Sequence, residues 1–141
     1  MPRTWVPDWT EYGISRERYR ELLAFCHQYP EWKSEAASLI GIGAQNYEER
    51  ISGGDVPSQV VRQAERRELL VDNINLVERV AGLVEHGAWY AALIQNVCMR
   101  KPHACIDPAI MPTSRRNEFY RARRTFFVLL NEAANKRQQR N

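Results

Sequence analysis

The stretch from Pro112 to Phe127, PTSRRNEFYRARRTFF, carries the side chains best suited to binding chemistry. It holds five arginines, three phenylalanines and one tyrosine in sixteen residues, and Glu118 is its only acidic residue. Arginine can bond bidentately to the O6/N7 edge of guanine, and asparagine to the N6/N7 edge of adenine. Tyrosine can reach a phosphate. The composition therefore indicates a segment that packs against a core and also binds an anion.

Helical periodicity assigns these two roles to opposite faces. At 100° per residue, an apolar set falls within about 80° of Phe119 and predicts the core face. This set contains Phe119, Ala122, Phe126, Leu129 and Leu130. The opposite face presents amide, phenol and guanidinium groups, from Asn117, Arg121, Arg124 and the flanking Tyr120. Phe127 falls near the boundary and is assigned to neither face.

The start of this helix suits a phosphate. Thr113 or Ser114 can cap it, and we expect it to continue to about Lys136. Arg115 and Arg116 then lie in the first turn, where two cations cost an isolated helix about 0.3–1 kcal/mol each. A phosphate bound there would relieve this cost and meet the free backbone N–H groups. The alternative, an amphipathic helix whose arginines are only solvated, stays open.

The charge distribution also indicates a polyanion as the partner. The net charge is +3, but residues 1–99 hold 10 basic and 14 acidic residues, a net of −4. Residues 100–141 hold 10 basic and 3 acidic residues, a net of +7. A basic patch attracts nucleic acid or anionic lipid. Aromatic residues that follow a core pattern within the patch favour a folded surface for double-stranded DNA, with no membrane partner.

The elements that must position this helix are also predicted to be helical. The chain has no strand-like alternation, so we predict an all-α fold, a small helical bundle. The helices are expected at Arg16–Gln28 with Ser15 as the cap, from Pro30 onward, and at Ser58–Glu85, Ala88–Met99 and 114–136. Ser52-Gly-Gly-Asp is the strongest break, which divides an N-terminal helical segment (1–52) from a helical domain (53–141).

A short helix near Ala104–Ile110 and a turn at Met111–Thr113 precede the basic helix. Together they have the order of a helix-turn-helix within residues 88–136. Upstream, Leu70, Ile74, Val77, Ala81 and Val84 repeat with 4-3-4-3 spacing. This spacing fits the core face of a bundle helix or the seam of a homodimer, and both interpretations stay open.

We predict no catalytic residue, no cofactor and no metal. The chain lacks a glycine-rich phosphate loop and an H-E-x-x-H motif. Cys98, His103 and Cys105 do not have a standard zinc spacing, and three cysteines do not suit a secreted disulfide framework. The N-terminus has no signal-peptide pattern, and no apolar run is long enough to cross a bilayer. We therefore expect a cytoplasmic protein that is not an enzyme.

Three stretches resemble one family. YGISRERYRELLAFCHQYPEWK (Tyr12–Lys33), GAWYAALIQNV (Gly87–Val97) and SRRNEFYRARRTFFVLL (Ser114–Leu130) are similar to segments of phage and prophage transcriptional regulators of the ArpU/RinA type. They cover about a third of the chain, in the family's order. Pro108 departs from the pattern, because it lies inside the expected first helix of the motif. The middle of the chain, residues 34–85, matches only as helix.

The resemblance implies a regulator of late genes in phages of Gram-positive bacteria, acting in the host cytoplasm. It implies a C-terminal helix-turn-helix similar to region four of bacterial sigma factors, whose helix from Ser114 enters the major groove. Ser114 would be the helix cap. The DNA-facing set would be Arg115, Arg116, Asn117, Tyr120, Arg121 and Arg124. Host RNA polymerase is a further candidate partner.

Two other functions remain open. The chain could be a helical protein–protein interaction module that binds through its acidic N-terminal half, with Tyr29, Trp32 and Tyr47 as anchors. It could also be a small DNA-packaging protein similar to a small terminase subunit, which can carry a helix-turn-helix. A large ring-shaped oligomer would favour packaging.

Overall fold

The computed structural model describes residues 6–39 and 58–140, and helices dominate both ranges. Their α-helices are α1 (Arg16–His27), α2 (29–39), α3 (Ser58–Leu83), α4 (Tyr90–Leu93) and α5 (Arg116–Arg140). A π-helical turn, Ile94–Cys98, continues α4 directly. Single 3-10 turns occur at Thr10–Tyr12, Val84–Gly87, His103–Cys105 and Pro108–Ile110. The predicted all-α fold, a small helical bundle, is confirmed.

The chain divides into two compact units. Met1–Gln28 and Leu76–Asn141 form one, which we call the terminal unit, and Tyr29–Asn75 form the other, the central unit. The predicted domain boundary between residues 52 and 53 lies outside the described residues and stays a prediction. In the terminal unit the two ends of the sequence come together, because α1 packs against α5 and against the turn Ile94–Cys98.

Helix α1 forms where its cap and periodicity predict. The Oγ atom of Ser15 accepts a hydrogen bond from the backbone N–H of Arg18 at 3.1 Å, which satisfies a donor that would otherwise be free. Tyr19, Leu22 and Cys26 lie on one face and are buried. The predicted cap and core face of α1 are confirmed.

Helix α5 supplies several of the large buried side chains of the terminal unit's core. Phe119, Phe126 and Leu130 are buried as predicted, together with Ala122, while Leu129 is half-buried. Phe127, assigned to neither face from the sequence, is fully buried. Its ring lies 5.0 Å from that of Tyr19 and 5.8 Å from that of Trp9, measured between centroids. The three phenylalanines of this helix are therefore structural.

The segment before α5 differs from its prediction. Residues 104–110 do not form a short α-helix but belong to two separate 3-10 turns, His103–Cys105 and Pro108–Ile110. The Oδ1 atom of Asp107 caps the second turn by accepting from the N–H of Ala109 at 2.9 Å. Pro108 lacks the N–H that a continuous helix would need, so a helix is interrupted here. A helix-turn-helix made of two α-helices is not confirmed.

The 4-3-4-3 seam of α3 belongs to the interior of the folded chain. Leu70, Val77, Ala81 and Val84 are at most 1% exposed, and Ile74 is half-buried. This burial within a single chain is what a core helix requires. The dimer-seam interpretation has no support from it.

The break between α3 and α4 uses left-handed backbone. Glu85, His86 and Gly87 have φ values of 44°, 57° and 85°. A residue with a Cβ atom is strained in this region, whereas glycine is not. The helix break predicted at His86-Gly87 is confirmed. The left-handed backbone begins one residue earlier, at Glu85.

Gly87→Ala is expected to destabilise the protein by about 1–2 kcal/mol. A Cβ atom there would meet only the carbonyl oxygen of Gly82, at an ordinary 3.5 Å, so the cost is in the backbone. Gly82→Ala is the control, because its Cβ would meet no atom within 4 Å. The control should gain about 0.5 kcal/mol. Urea unfolding followed by circular dichroism measures both, and equal losses would contradict the assignment of strain to Gly87.

The central unit contains an exposed ion pair between α2 and α3. The Nε and Nη2 atoms of Arg66 donate to the two carboxylate oxygens of Glu35, at 2.7 and 3.3 Å. These bonds lower the pKa of Glu35 and raise that of Arg66. Both side chains face water, so the pair fixes geometry more than it adds stability.

Candidate nucleic-acid interface

A cleft of about 850 Å³ lies in the terminal unit beside the exposed face of α5. Its lining consists of Trp9, Tyr19, Asn96, Arg116, Asn117, Tyr120, Arg121, Arg123 and Arg124. Five of the seven predicted DNA-binding residues are in this set, and Ser114 and Arg115 are not. Among the described residues, the lining contains four arginines and no acidic residue. It therefore suits an anion.

Asn117 and Arg121 form an accessible pair within the predicted set. Both side chains are exposed, and they lie four residues apart on α5, so they project from one face. In the described ranges neither side chain has a hydrogen bond or an ion pair. An amide and a guanidinium spaced by one helical turn can contact neighbouring base pairs in a major groove.

Arg116 and Arg124 are held against aromatic rings. The guanidinium carbon of Arg124 lies 4.9 Å from the ring centroid of Tyr12, and that of Arg116 lies 5.5 Å from the centroid of Tyr120. Stacking restricts the side chain but leaves the N–H groups at the edge of the guanidinium plane. Each arginine is thus partly preorganised for an oxyanion, with less freedom than Arg121.

The N-terminus of α5 is built differently from its prediction. The helix begins at Arg116, and the Oγ1 atom of Thr113 accepts from the N–H of Arg115 at 3.2 Å. Ser114 does not stand directly before the first helical residue, so the predicted Ser114 cap is displaced. Arg115 forms a long, exposed ion pair with Glu118 at 3.8 Å. A pair of this kind contributes little and leaves Arg115 available to a phosphate.

Arg123 is one of four cleft residues that were not predicted from the sequence, and it is the only arginine among them. Its Nε atom donates to Asn96 Oδ1 at 2.9 Å, and its Nη2 atom donates to the hydroxyl oxygen of Tyr19 at 2.9 Å. Its guanidinium carbon lies 5.0 Å from the ring centroid of Phe127. The signal was present in the helical phase, since Arg123 falls about 40° from Phe119, on the core side. An arginine on a core face must find partners there.

The positive charge of the cleft is not neutralised by the described residues. No ion pair found within them involves Arg116, Arg121, Arg123 or Arg124. The pKa of the nearby His27 is lowered, first by burial and then by the charges of Arg100 and Arg123. Burial contributes most to this lowering of the pKa, and the charge of Arg123 contributes least of the three causes.

The cysteines lie apart from this cleft's lining. Cys26 and Cys98 are buried, and Cys105 is exposed. A hydrogen bond with Cys98, followed by burial, raises the pKa of Cys26, so its thiol stays protonated and weakly reactive. Within the described ranges no cluster of three or more histidine, cysteine, aspartate or glutamate side chains is arranged to hold a metal ion.

Comparison of the chain with protein-family models, curated proteins and solved structures finds no match. Among the helices that the structure describes, none combines the length and apolar character needed to cross a membrane. The side chains of the cleft therefore provide the main indication of function.

Proposed function

We propose that this protein is a sequence-specific DNA-binding transcription regulator, and that α5 enters the major groove of double-stranded DNA. The observation that carries the proposal is the cleft beside α5, whose described lining contains four arginines and no acidic residue. Phosphates dominate the affinity of proteins for DNA, and unneutralised arginines are their usual partners.

Sequence readout is assigned to Asn117 and Arg121. They are exposed, they lie on one helical face, and their side chains are the types that bond bidentately to adenine and guanine. Arg115, Arg116, Tyr120 and Arg124 would contact phosphates around the groove. Since phosphate contacts position a protein and base contacts specify its site, the two groups have separate roles.

The proposed biological role is activation of late genes in a phage or prophage, in the host cytoplasm and in contact with host RNA polymerase. It is supported by the resemblance of the segments Tyr12–Lys33, Gly87–Val97 and Ser114–Leu130 to regulators of the ArpU/RinA type. All three segments contribute to the cleft or to its support. In this proposal, the helix that precedes α5 in the DNA-binding motif is α4 together with its π-helical extension.

Selection of DNA from a random duplex pool tests the proposed function. The full-length protein is incubated with the pool at physiological salt, and the retained DNA is sequenced over successive rounds. We expect enrichment of one motif, with an affinity for it at least about 10³-fold above that for random duplex. Retention of DNA without any enriched motif would reduce the function to nonspecific binding. No retention would remove DNA as the partner.

A further inference from the structure

Arg123 differs from the other arginines of the cleft because neutral groups hold it in place. Its two measured hydrogen bonds go to an amide oxygen, on Asn96, and to a hydroxyl, on Tyr19. Neither acceptor carries a negative charge. The bonds therefore fix the orientation of the guanidinium without neutralising it.

Arg123 has N–H donors that its two hydrogen bonds do not use. A guanidinium has five N–H donors, and these two bonds use two of them. None of the buried side-chain nitrogens that lack a partner in the described residues belongs to Arg123. The Nη1 atom of Arg123, which donates no hydrogen bond within the described residues, is therefore not fully buried, and its two N–H groups are available to an oxyanion.

The rings beneath Arg123 make this arrangement rigid. The guanidinium carbon lies 5.0 Å from the ring centroid of Phe127 and 5.6 Å from that of Tyr19. Phe127 is fully buried, so the aromatic floor cannot move far. A cation fixed on a buried floor loses little conformational entropy on binding, which favours a short, directed contact.

Arg18 provides an internal comparison. Its Nε and Nη2 atoms also donate to amide oxygens, of Asn131 at 2.7 Å and Asn135 at 3.0 Å. However, Arg18 additionally forms an ion pair with Glu21 at 3.4 Å, and it does not line the cleft. An asparagine oxygen thus accepts from the Nε atom of both arginines, and within the described residues an ion pair accompanies this bond at Arg18 but not at Arg123. The charge of Arg123 therefore stays available to a ligand.

From this geometry we infer that Arg123 is a preorganised phosphate-binding residue, which seats one backbone phosphate of the bound nucleic acid at the floor of the cleft. The inference rests on the proposed function, because it names a contact of the same DNA complex. The contact is independent of base sequence. It fixes the register of α5 along the groove, while Asn117 and Arg121 read the bases.

Asn96→Asp tests this role while retaining an acceptor for Arg123. The carboxylate would neutralise the guanidinium that the amide oxygen only orients. We expect affinity for a random-sequence duplex to fall about tenfold. The slope of log K against log salt should decrease in magnitude by about 0.9, the loss of one phosphate contact on B-DNA. Fluorescence anisotropy with a labelled duplex measures both quantities.

Asn131→Asp is the matched control. It makes the same chemical change beside Arg18 and adds the same charge to the protein, but outside the cleft. We expect it to leave the salt slope unchanged. Equal effects of both variants would mean that net charge alone is responsible and would overturn the inference. An unchanged slope for a folded Asn96→Asp would overturn it as well.

A second measurement needs no variant, which matters because Asn96 Nδ2 also donates to the carbonyl of Lys101 at 3.0 Å. The Nε–H resonance of Arg123 can be identified by its NOEs to the rings of Tyr19 and Phe127. We expect this resonance to shift when random-sequence duplex is added to the wild-type protein. A stationary resonance, while amides of α5 shift, would overturn the inference.

The same resonance separates failure of the inference from failure of the proposed function. If the wild-type protein binds no duplex, the proposed function fails, and inorganic phosphate then replaces DNA as the probe. A saturable shift of the Arg123 Nε–H with phosphate would support the oxyanion site even then. No shift with phosphate would overturn it.

Discussion

Phe127→Ala is expected to lower the free energy of unfolding by about 3–5 kcal/mol, the largest effect of any single substitution considered for this chain. The ring is 0% exposed, and it packs against Trp9, Tyr19 and Phe126 with centroid distances of 5.0–5.8 Å. Truncation removes this burial and leaves a cavity that the rigid surroundings fill only partly. Guanidinium unfolding followed by tryptophan fluorescence and circular dichroism measures the loss.

Leu83→Ala is the control for this prediction. Leu83 ends α3 and is 60% exposed, so its truncation should change stability by less than about 0.5 kcal/mol. Phe127→Leu should fall between the two, because it retains much of the apolar volume. Similar small losses for Phe127→Ala and Leu83→Ala would show that the aromatic cluster does not hold the terminal unit together.

The sequence was sufficient to predict elements whose determinants are local. Ser15 and the apolar spacing of Tyr19, Leu22 and Cys26 lie within a few turns of each other, so the start and core face of α1 followed directly. The two faces of α5 followed from helical phase in the same way. The amphipathic pattern assigned Phe119 and Phe126 to the core, and the structure buries both.

The sequence was insufficient where contacts between distant residues determine the structure. Arg123 finds Asn96 and Tyr19, which lie 27 and 104 residues away along the chain, and no local pattern indicates either partner. The cleft likewise depends on Trp9, whose ring reaches α5 only because the ends of the chain meet. The position of an arginine on the core side of a helix does predict that its side chain needs hydrogen-bond partners. It does not predict which residues those partners are.

Two opposing local preferences explain why the short helix predicted before α5 does not form. Residues 104–110 contain helix-forming alanine and isoleucine, which favoured a short helix, whereas Pro108 and the side chain of Asp107 favour a capped turn. The turn prevails because Pro108 removes a donor and Asp107 satisfies the N–H of Ala109. The basic helix consequently starts at Arg116, and its first free N–H groups lie further along than the sequence suggested.

The second large prediction concerns readout by Arg121. On the motif selected from the random pool, Arg121→Ala is expected to cost about 1–3 kcal/mol of binding free energy. The loss should disappear when the single base pair that Arg121 contacts is changed, because the variant no longer distinguishes it. Competition anisotropy with the selected duplex and its single-pair variants, at one fixed salt concentration, measures this coupling.

Substitutions of two other arginines of α5 distinguish recognition of bases from nonspecific electrostatic attraction to DNA. Arg116→Ala should weaken all duplexes alike and lower the salt slope by about one, as expected for a phosphate contact. Arg140→Ala removes the same charge about 36 Å further along the helix than Arg116 and should change neither property. If the three substitutions weakened every duplex equally, the face of α5 would attract DNA only by charge. A loss confined to Arg121→Ala that distinguishes all four base pairs would instead place α5 in the major groove, because the minor groove separates only A·T from G·C.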